Sequence, residues 1–159
     1  MNTIGKSALG LFLFCTLLFC LTAPGYSDFP QKVNSNQLIN RIAADKGKAV
    51  LLHFWATWCP ACRKEIPALN ELRARYSSEQ LTILGVAMDQ DPGAVKRFKE
   101  DQDIAYSLVM ATSGVGLDFR VTGVPKTLIY NQSGELEFQG FGYLPKGKLH
   151  QTVANILGD

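Results

Sequence analysis

The sequence has few cysteines and histidines, and its positive and negative charges nearly cancel. Four cysteines and two histidines occur in 159 residues, and 16 lysines and arginines stand against 14 acidic residues. A net charge of only +2 gives no electrostatic reason to expect nucleic acid or an anionic membrane surface as a partner. Four cysteines are also too few for the disulfide-dense scaffolds of very small secreted proteins. Repeats and low-complexity segments are absent from the sequence as well, so we expect one small globular domain.

The ligands for a structural zinc site are also missing, because such a site needs four, usually supplied as two close pairs. Cys59 and Cys62 form one pair, but no second pair of cysteines or histidines has a comparable spacing. The other two cysteines, Cys15 and Cys20, lie in an apolar N-terminal segment. The sequence therefore predicts no metal site, and no cofactor beyond a redox-active disulfide between Cys59 and Cys62.

Residues 1–27 have the composition of a targeting segment. A lysine at position 6 precedes an apolar run over 8–21, and a stretch rich in small residues follows at 23–27. This pattern is typical of a cleaved export signal, although a run of this length could instead remain as a membrane anchor. We therefore expect residues 1–27 to be a signal peptide or an N-terminal anchor. Residues 28–159 would then form the functional domain, in the periplasm or otherwise outside the cytoplasm.

The most informative feature is the sequence Trp-Cys-Pro-Ala-Cys at 58–62. It follows the apolar run 49–55, which is typical of a buried strand, and precedes a stretch with helical periodicity at 63–76. A Cys-x-x-Cys pair at a junction between a strand and a helix is typical of a dithiol that cycles to a disulfide. We therefore expect redox chemistry at this junction.

The two cysteines of this pair have different expected roles. Cys59 at the N-cap of a helix would meet unpaired backbone N–H groups and the positive end of the helix dipole, which both favour its thiolate. Lowering a thiol pKa from about 8.5 to about 7 raises the thiolate fraction at neutral pH from roughly 3% to roughly 50%. Cys59 is therefore the expected attacking sulfur, and Cys62, one turn inward, the resolving thiol. Pro60 suits the first helical position because its missing N–H needs no partner there.

Apolar periodicity and turn residues predict helices and strands in alternation along the rest of the chain. Asn131 to Gly134 is a turn sequence, which makes the two strands beside it an antiparallel hairpin. Alternating strands and helices closed by a hairpin predict an α/β layer structure with a mixed sheet. The predicted helices are 36–45, 63–76, 92–100, 113–120 and 146–157, and the predicted strands are 49–55, 81–88, 107–110, 126–130 and 135–139.

These motifs resemble the thioredoxin superfamily, and most nearly its TlpA/ResA-like branch of exported thiol-disulfide oxidoreductases. The segment 54–62 looks like the superfamily's active-site sequence, and Gly123-Val124-Pro125 is similar to its cis-proline loop. Pro67 matches a helix-kinking proline of the family, and Glu65 matches a glutamate characteristic of ResA-like members. The chain between the two motifs is longer than thioredoxin needs, which fits a strand-helix insertion of this branch, here around 91–109.

The resemblance implies a fold and a set of site residues. The fold would be a thioredoxin fold, with a central mixed sheet flanked by helices and a strand-helix insertion before the cis-proline loop. The catalytic residues would be Cys59, Cys62 and Glu65, because Glu65 is expected to have a redox role rather than to be a solvated first-turn glutamate. The cis-proline loop would face the cysteines and pair with a client polypeptide like an added strand. The residues that would contact the client are Trp58, Pro60, Val124 and Pro125.

Two positions depart from the family pattern. Thioredoxins commonly place a buried aspartate six residues before the first active-site cysteine, where this chain has His53. This histidine could exchange the proton of Cys62, or it could be a core imidazole hydrogen-bonded to backbone; the residues leave both open. Lys126 follows Pro125 where a threonine is usual, and there we expect a solvated lysine.

The function implied is exchange of protein disulfides, in the reducing direction. Clients would be cysteine-containing proteins, for example apocytochrome c, and a thiol-disulfide electron donor in the membrane would restore the dithiol. An oxidase or isomerase of protein disulfides would use the same residues, so direction stays open. A copper-delivery protein that binds the metal through both cysteines, and an adaptor with a static disulfide, are further alternatives.

Overall fold

A six-stranded mixed sheet forms the centre of the computed structural model, which describes residues 29–159. Its strands are β1 (Lys32–Val33), β2 (Ala49–Trp55), β3 (Leu81–Ala87), β4 (Ser107–Ala111), β5 (Lys126–Tyr130) and β6 (Leu136–Phe141). Its helices are α1 (Ser35–Ala44), α2 (Pro60–Arg75), α3 (Pro92–Asp101), α4 (Val115–Asp118) and α5 (Lys146–Leu157). Within the described part of the chain, no helix is long and apolar enough to cross a membrane. The predicted signal peptide or anchor at 1–27 lies outside the described residues.

The strands are ordered β1-β4-β3-β2-β5-β6. Strands β1, β4, β3 and β2 are parallel to one another, whereas β5 is antiparallel to both β2 and β6. Helix α3 and strand β4 lie between β3 and the loop that precedes β5, which is where the insertion was predicted. The mixed sheet flanked by helices confirms the predicted fold class.

Strand β2 lies at the centre of the sheet and is covered on both faces. All seven of its residues are buried, which explains why it is an almost continuous apolar run rather than an alternating one. Its odd-numbered residues face the cluster formed with α2, α3 and α5, and its even-numbered residues face the cluster formed with α1 and α4. The period of two therefore directs His53 and Trp55 to the face that carries α2.

The helix and strand boundaries differ from the predictions mainly at helix starts. Helix α1 begins at Ser35, one residue before its predicted start, because Asn34 is its N-cap and forms a reciprocal capping box with Gln37. Helix α4 spans only four residues of the predicted 113–120. Strand β1 was not predicted, because two residues carry no detectable period and owe their conformation to pairing with β4.

Three chain segments that will form the site meet at one edge of the sheet. The N–H of Met88 donates to the carbonyl of Trp55 (2.8 Å), which holds the ends of β2 and β3 side by side. Phe54 at the end of β2 pairs with Lys126 at the start of β5. The loops after β2, after β3 and before β5 therefore lie together, although they are far apart in the sequence.

Gly85 of β3 allows close packing beneath this edge, and we expect Gly85→Ala to destabilise the fold. A Cβ there would lie 2.5 Å from Cδ2 of Leu108 and 3.1 Å from Nε1 of Trp55. Overpacking of this kind lowers the free energy of unfolding by about 1–3 kcal/mol, which urea denaturation would measure. Gly147→Ala is the control: nothing lies within 4 Å of that Cβ position, so it should be neutral or stabilising. Equal stability of the two variants would contradict this packing argument.

Candidate active site

The first turn of α2 carries both cysteines of the Cys-x-x-Cys pair. Cys59 is the N-cap, and its Sγ accepts the backbone N–H of Cys62 at 3.1 Å. Pro60 occupies the first helical position, as predicted. The two sulfurs are joined in a disulfide, with Cα atoms 5.3 Å apart. The helix therefore begins at Pro60, directly after Cys59 and three residues earlier than its apolar periodicity indicated.

The disulfide is largely covered by its surroundings. Cys59 is 4% exposed and Cys62 is 1% exposed, and both belong to the apolar cluster under α2. Trp58, immediately before the pair, is 69% exposed. Trp58 therefore presents an apolar indole to solvent directly before the pair, and Cys62 is the less exposed of the two cysteines.

The short loop that leads from β2 to the disulfide is held by side chains from two other segments. The N–H of Thr57 donates to the carboxylate of Asp89 at 3.1 Å, and its hydroxyl donates to the same group at 2.5 Å. Arg63 donates from α2 to the carbonyl of Thr57 at 2.8 Å. The loop is thus fixed against both β3 and α2, which sets the position of Trp58.

The loop Gly123-Val124-Pro125 lies at the same sheet edge. The Val124–Pro125 peptide bond is cis, and Val124 packs against the apolar clusters on both faces of the sheet. The N–H of Gly142 donates to the carbonyl of Pro125 at 2.9 Å, which ties this loop to the end of β6. The sheet therefore brings the two motifs to one edge, although their roles in binding a client stay predictions.

Glu65 is buried beneath this edge, and its surroundings exclude the solvated first-turn glutamate. It is 1% exposed. Its Oε1 accepts the N–H of Leu144 at 2.5 Å, and its Oε2 lies 3.4 Å from Nδ1 of His53 without hydrogen-bond geometry. Burial raises the pKa of Glu65 to about 7, although the hydrogen bond from Leu144 opposes that shift. The carboxyl group can therefore gain or lose a proton near neutral pH.

His53 is a buried histidine whose neighbours are side chains rather than backbone. Its Nδ1 lies 3.3 Å from Oγ1 of Thr127 and also faces Glu65, while its Nε2 has no hydrogen-bond partner in the described structure. The alternative prediction, a core imidazole hydrogen-bonded to backbone, is therefore right that His53 is buried but wrong about the groups that His53 contacts. Burial lowers the pKa of His53 to about 4, so the imidazole is neutral at pH 7.

Together these groups form a buried acid and base behind the disulfide. Glu65 lies three residues after Cys62, on the same face of α2, and both are buried. His53 approaches the acid from β2, and the pKa of nearby Tyr106 is raised by its own burial and then by the charge of Glu65. Glu65 is thus a buried carboxyl group one helical turn from Cys62, with a pKa raised to about 7. Sequence patterns could not place His53 against Glu65, because the contact joins two different elements.

Lys126 contradicts the expectation of a solvated lysine, since it is only 1% exposed. Its Nζ donates to the carbonyl of Phe119 at 2.7 Å and to that of Arg120 at 2.9 Å. The ring of Phe141 lies 4.5 Å from the same nitrogen. These carbonyls belong to the C-cap of α4 and to the residue after it, where backbone acceptors need partners from outside the helix.

In the described part of the chain, no group of three or more His, Cys, Asp or Glu side chains is placed to hold a metal ion. The pair Cys59 and Cys62 could hold a two-coordinate soft ion only in its reduced form. The arrangement itself supports the exchange of electrons between this dithiol and another disulfide.

The chain matches the protein-family model described as the AhpC/TSA family over residues 23–139. The thioredoxin-like protein YneN of Bacillus subtilis (strain 168) is 31% identical over 111 residues, which make up 68% of this chain and 65% of that protein. The thiol-disulfide oxidoreductase ResA of Bacillus thuringiensis subsp. konkukian (strain 97-27) is 30% identical over 112 residues, or 70% of this chain and 65% of that protein. The chain thus spans about two thirds of the length of these relatives, 65% in each case.

The fold is also similar to that of a solved structure. The thiol:disulfide interchange protein of the thioredoxin family from Chlorobium tepidum TLS has a TM-score of 0.66 and 32% identity. The match covers 73% of this chain and 84% of that one. It therefore includes most of the sheet and helices that carry the Cys-x-x-Cys pair.

The opposite pKa shifts of Glu65 and His53 predict a specific dependence of stability on pH. Between about pH 5 and pH 6, the folded pair binds one proton, on Glu65, and the unfolded pair binds one, on His53, so their effects cancel. Glu65→Gln leaves only the histidine, whose unfolded form binds the extra proton, so the free energy of unfolding should rise with pH. His53→Asn leaves only the carboxyl, whose folded form binds it, so that free energy should fall as pH rises towards 7.

Urea denaturation of the oxidised protein at about pH 5 and about pH 6 would measure both slopes. Relative to wild type, each single variant should change by about 1.4 kcal/mol per pH unit, in opposite directions. The double variant is the matched control and should regain the wild-type slope. Slopes of the same sign in the two single variants would contradict the assigned protonation states.

Proposed function

The chain belongs to the AhpC/TSA family, and from this premise we propose that it is a thiol-disulfide oxidoreductase that acts on proteins outside the cytoplasm. The observation that carries the proposal is the disulfide between Cys59, the N-cap of α2, and Cys62 in its first turn. The exposed Trp58 and the cis-proline loop at the same edge of the sheet support a protein client. The names of the relatives ResA and YneN agree with this chemistry.

The proposed reaction begins with the reduced protein. The thiolate of Cys59 attacks one sulfur of a client disulfide, forms a mixed disulfide and displaces the other client sulfur as a thiolate. The thiolate of Cys62 then attacks the Cys59 sulfur, and the second client thiolate leaves. Two electrons pass from the protein to the client, which gains two thiols, while the Cys59–Cys62 disulfide forms.

Proton transfer in this cycle is assigned to Glu65. Cys62 must lose a proton before it can resolve the mixed disulfide, and the buried carboxylate one turn along the same helix face can accept it. Because its pKa is raised to about 7, Glu65 is matched to a thiol at neutral pH better than an ordinary glutamate. His53 stays neutral behind the acid, and we assign it a supporting role in this proton exchange.

We assign the reducing direction to the reaction in the cell. Strong oxidants of the superfamily stabilise their thiolate and so favour the reduced form. Here a carboxyl group, which becomes anionic above about pH 7, lies beside the resolving cysteine, and that charge disfavours a thiolate. The resemblance to TlpA/ResA-like proteins supports clients such as apocytochrome c, and a membrane thiol-disulfide protein as the donor that restores the dithiol.

The location proposed outside the cytoplasm rests on the sequence of residues 1–27. Its lysine, apolar run and small residues have the order of an export signal. A dedicated reductant is also needed most where the surroundings oxidise thiols, because glutathione and thioredoxin already keep thiols reduced in the cytosol. The segment would leave the domain soluble after cleavage, or hold it at the membrane if retained.

Replacement of the resolving cysteine should trap the clients. With Cys62→Ser, a mixed disulfide on Cys59 cannot be resolved, so client proteins should stay bound through non-reducing electrophoresis and be released by dithiothreitol. Cys59→Ser is the matched control and should trap nothing. Mass spectrometry of the released proteins would identify the clients. Equal capture by the two variants would show that the proposed order of attack is wrong.

Direction can be decided by the reduction potential of the Cys59–Cys62 pair, measured by equilibration with glutathione or dithiothreitol. We expect a value closer to about −270 mV, as in thioredoxin, than to about −120 mV, as in the strong oxidants. A reduction potential near about −120 mV would favour the oxidase or isomerase alternative. Failure of dithiothreitol to reduce the native protein would favour a static adaptor. Tight Cu(I) binding without disulfide reduction would favour copper delivery.

A further inference from the structure

Lys126 is a buried ammonium directly after the cis-proline, and none of the chemistry above uses it. The cost of burying a charge is offset only where its donors are satisfied. Two donors of Nζ reach the carbonyls of Phe119 and Arg120, at 2.7 and 2.9 Å. The ring of Phe141 lies 4.5 Å from the nitrogen, close enough for a cation–π contact. These three contacts of the charge join the segment before β5 to the end of β6.

The two carbonyls lie where the chain leaves α4 and turns towards the cis-proline. Arg120 has a φ of 51°, a left-handed conformation that a non-glycine residue adopts at a local cost. The ammonium of Lys126 binds the carbonyl of this residue and that of the preceding one. It thereby closes the loop 119–125 onto the first residue of β5. Without this ammonium, the carbonyls of Phe119 and Arg120 would lose these two donors. Fewer contacts would then hold the loop in one conformation.

The same lysine connects this loop to β6. Lys126 and Phe141 are direct partners in the β5–β6 pairing, and Gly142 donates to the carbonyl of Pro125 at 2.9 Å. Phe141 is 53% exposed, so one part of its ring contacts the ammonium and the rest faces solvent. We call Val124, Pro125 and Phe141, at the sheet edge that carries the disulfide, the proline wall: Pro125 is buried, Val124 is half-buried and Phe141 is exposed.

We propose that Lys126 is a positioning residue for client binding: it holds the proline wall in one shape, and Phe141 contacts an apolar side chain beside the client's cysteine. This inference rests on the proposed function, because it needs a polypeptide client at Cys59. The occupant follows from continuity with the disulfide, because Phe54, near the end of β2 that leads to Cys59, pairs with Lys126, and Lys126 pairs with Phe141. A small disulfide reacts at Cys59 without touching the wall. Lys126 therefore affects polypeptides selectively.

The test compares two disulfides that release the same coloured thiol. One is dithiobisnitrobenzoate, and the other is a short unstructured peptide whose single cysteine, flanked by leucines, is joined to thionitrobenzoate. Each is mixed with the pre-reduced full-length protein in a single turnover, and a Cys59→Ser protein supplies the background. The half-saturating concentration and the limiting rate are measured for wild type and for Lys126→Met, which keeps the length of the side chain but loses its charge.

We expect Lys126→Met to raise the half-saturating peptide concentration about tenfold, with the limiting rate and the small-disulfide reaction within about twofold of wild type. Lys126→Arg, which retains donors, should recover much of the loss. Lys48→Met is the matched control, because Lys48 also donates to a carbonyl, that of Ser78 at 3.2 Å, but precedes β2 at the opposite end of the sheet. It should behave as wild type with both disulfides.

Equal losses with both disulfides, or no loss with the peptide, would overturn the role of Lys126. A wild-type protein that reacts with neither disulfide would instead overturn the proposed function. If Lys126→Met does not fold, as judged by thermal melting, Phe141→Ser tests the wall with the lysine intact. That variant should also raise the half-saturating peptide concentration selectively, and an unchanged value would contradict the proposal.

Discussion

The burial of β2 on both faces is the constraint on which the rest of the structure depends. Its seven residues are all buried, and the strand is hydrogen-bonded to β3 on one side and β5 on the other. A strand held in this way has a rigid end, and Cys59 follows that end by a short, pinned loop. The same strand carries His53 into the core. One element therefore sets the position of Cys59 and of the neutral imidazole behind it.

Unpaired polar groups in the core behind the disulfide lower the free energy of unfolding. Atoms of His53, Trp55 and Glu65 are buried without hydrogen-bond partners in the described structure, and each such atom costs free energy. Native proteins keep costs of this kind mainly where function needs them. The shifts in pKa limit the cost, because a neutral imidazole and a protonated carboxyl avoid burial of two charges. The same burial that keeps these two groups uncharged also gives Glu65 a pKa suited to thiol chemistry.

Much of the fold was predictable because its strands and helices have strong periods and clear ends. Strand β2 and helix α5 were predicted at their observed bounds, and Cys59 was predicted as a helix N-cap. These features depend on residues close together in the sequence, which is where patterns carry information. Strand β1 was missed for the opposite reason. Its two residues pair with β4, about 80 positions away, and no local pattern records such a pairing.

The sequence by itself determined the cysteine pair and the resemblance that implies a thioredoxin fold, and it predicts the order in which the two sulfurs act. Only the tertiary structure decided the surroundings that tune this pair. Lys126 looked like a residue that water would cover, and no local pattern showed that Glu65 would be buried, yet both are buried. The contact between Glu65 and His53 joins α2 to β2, and the contact of Lys126 with Phe141 joins β5 to β6. Burial and charge pairing depend on which elements pack together, and that is a property of the folded chain rather than of any segment.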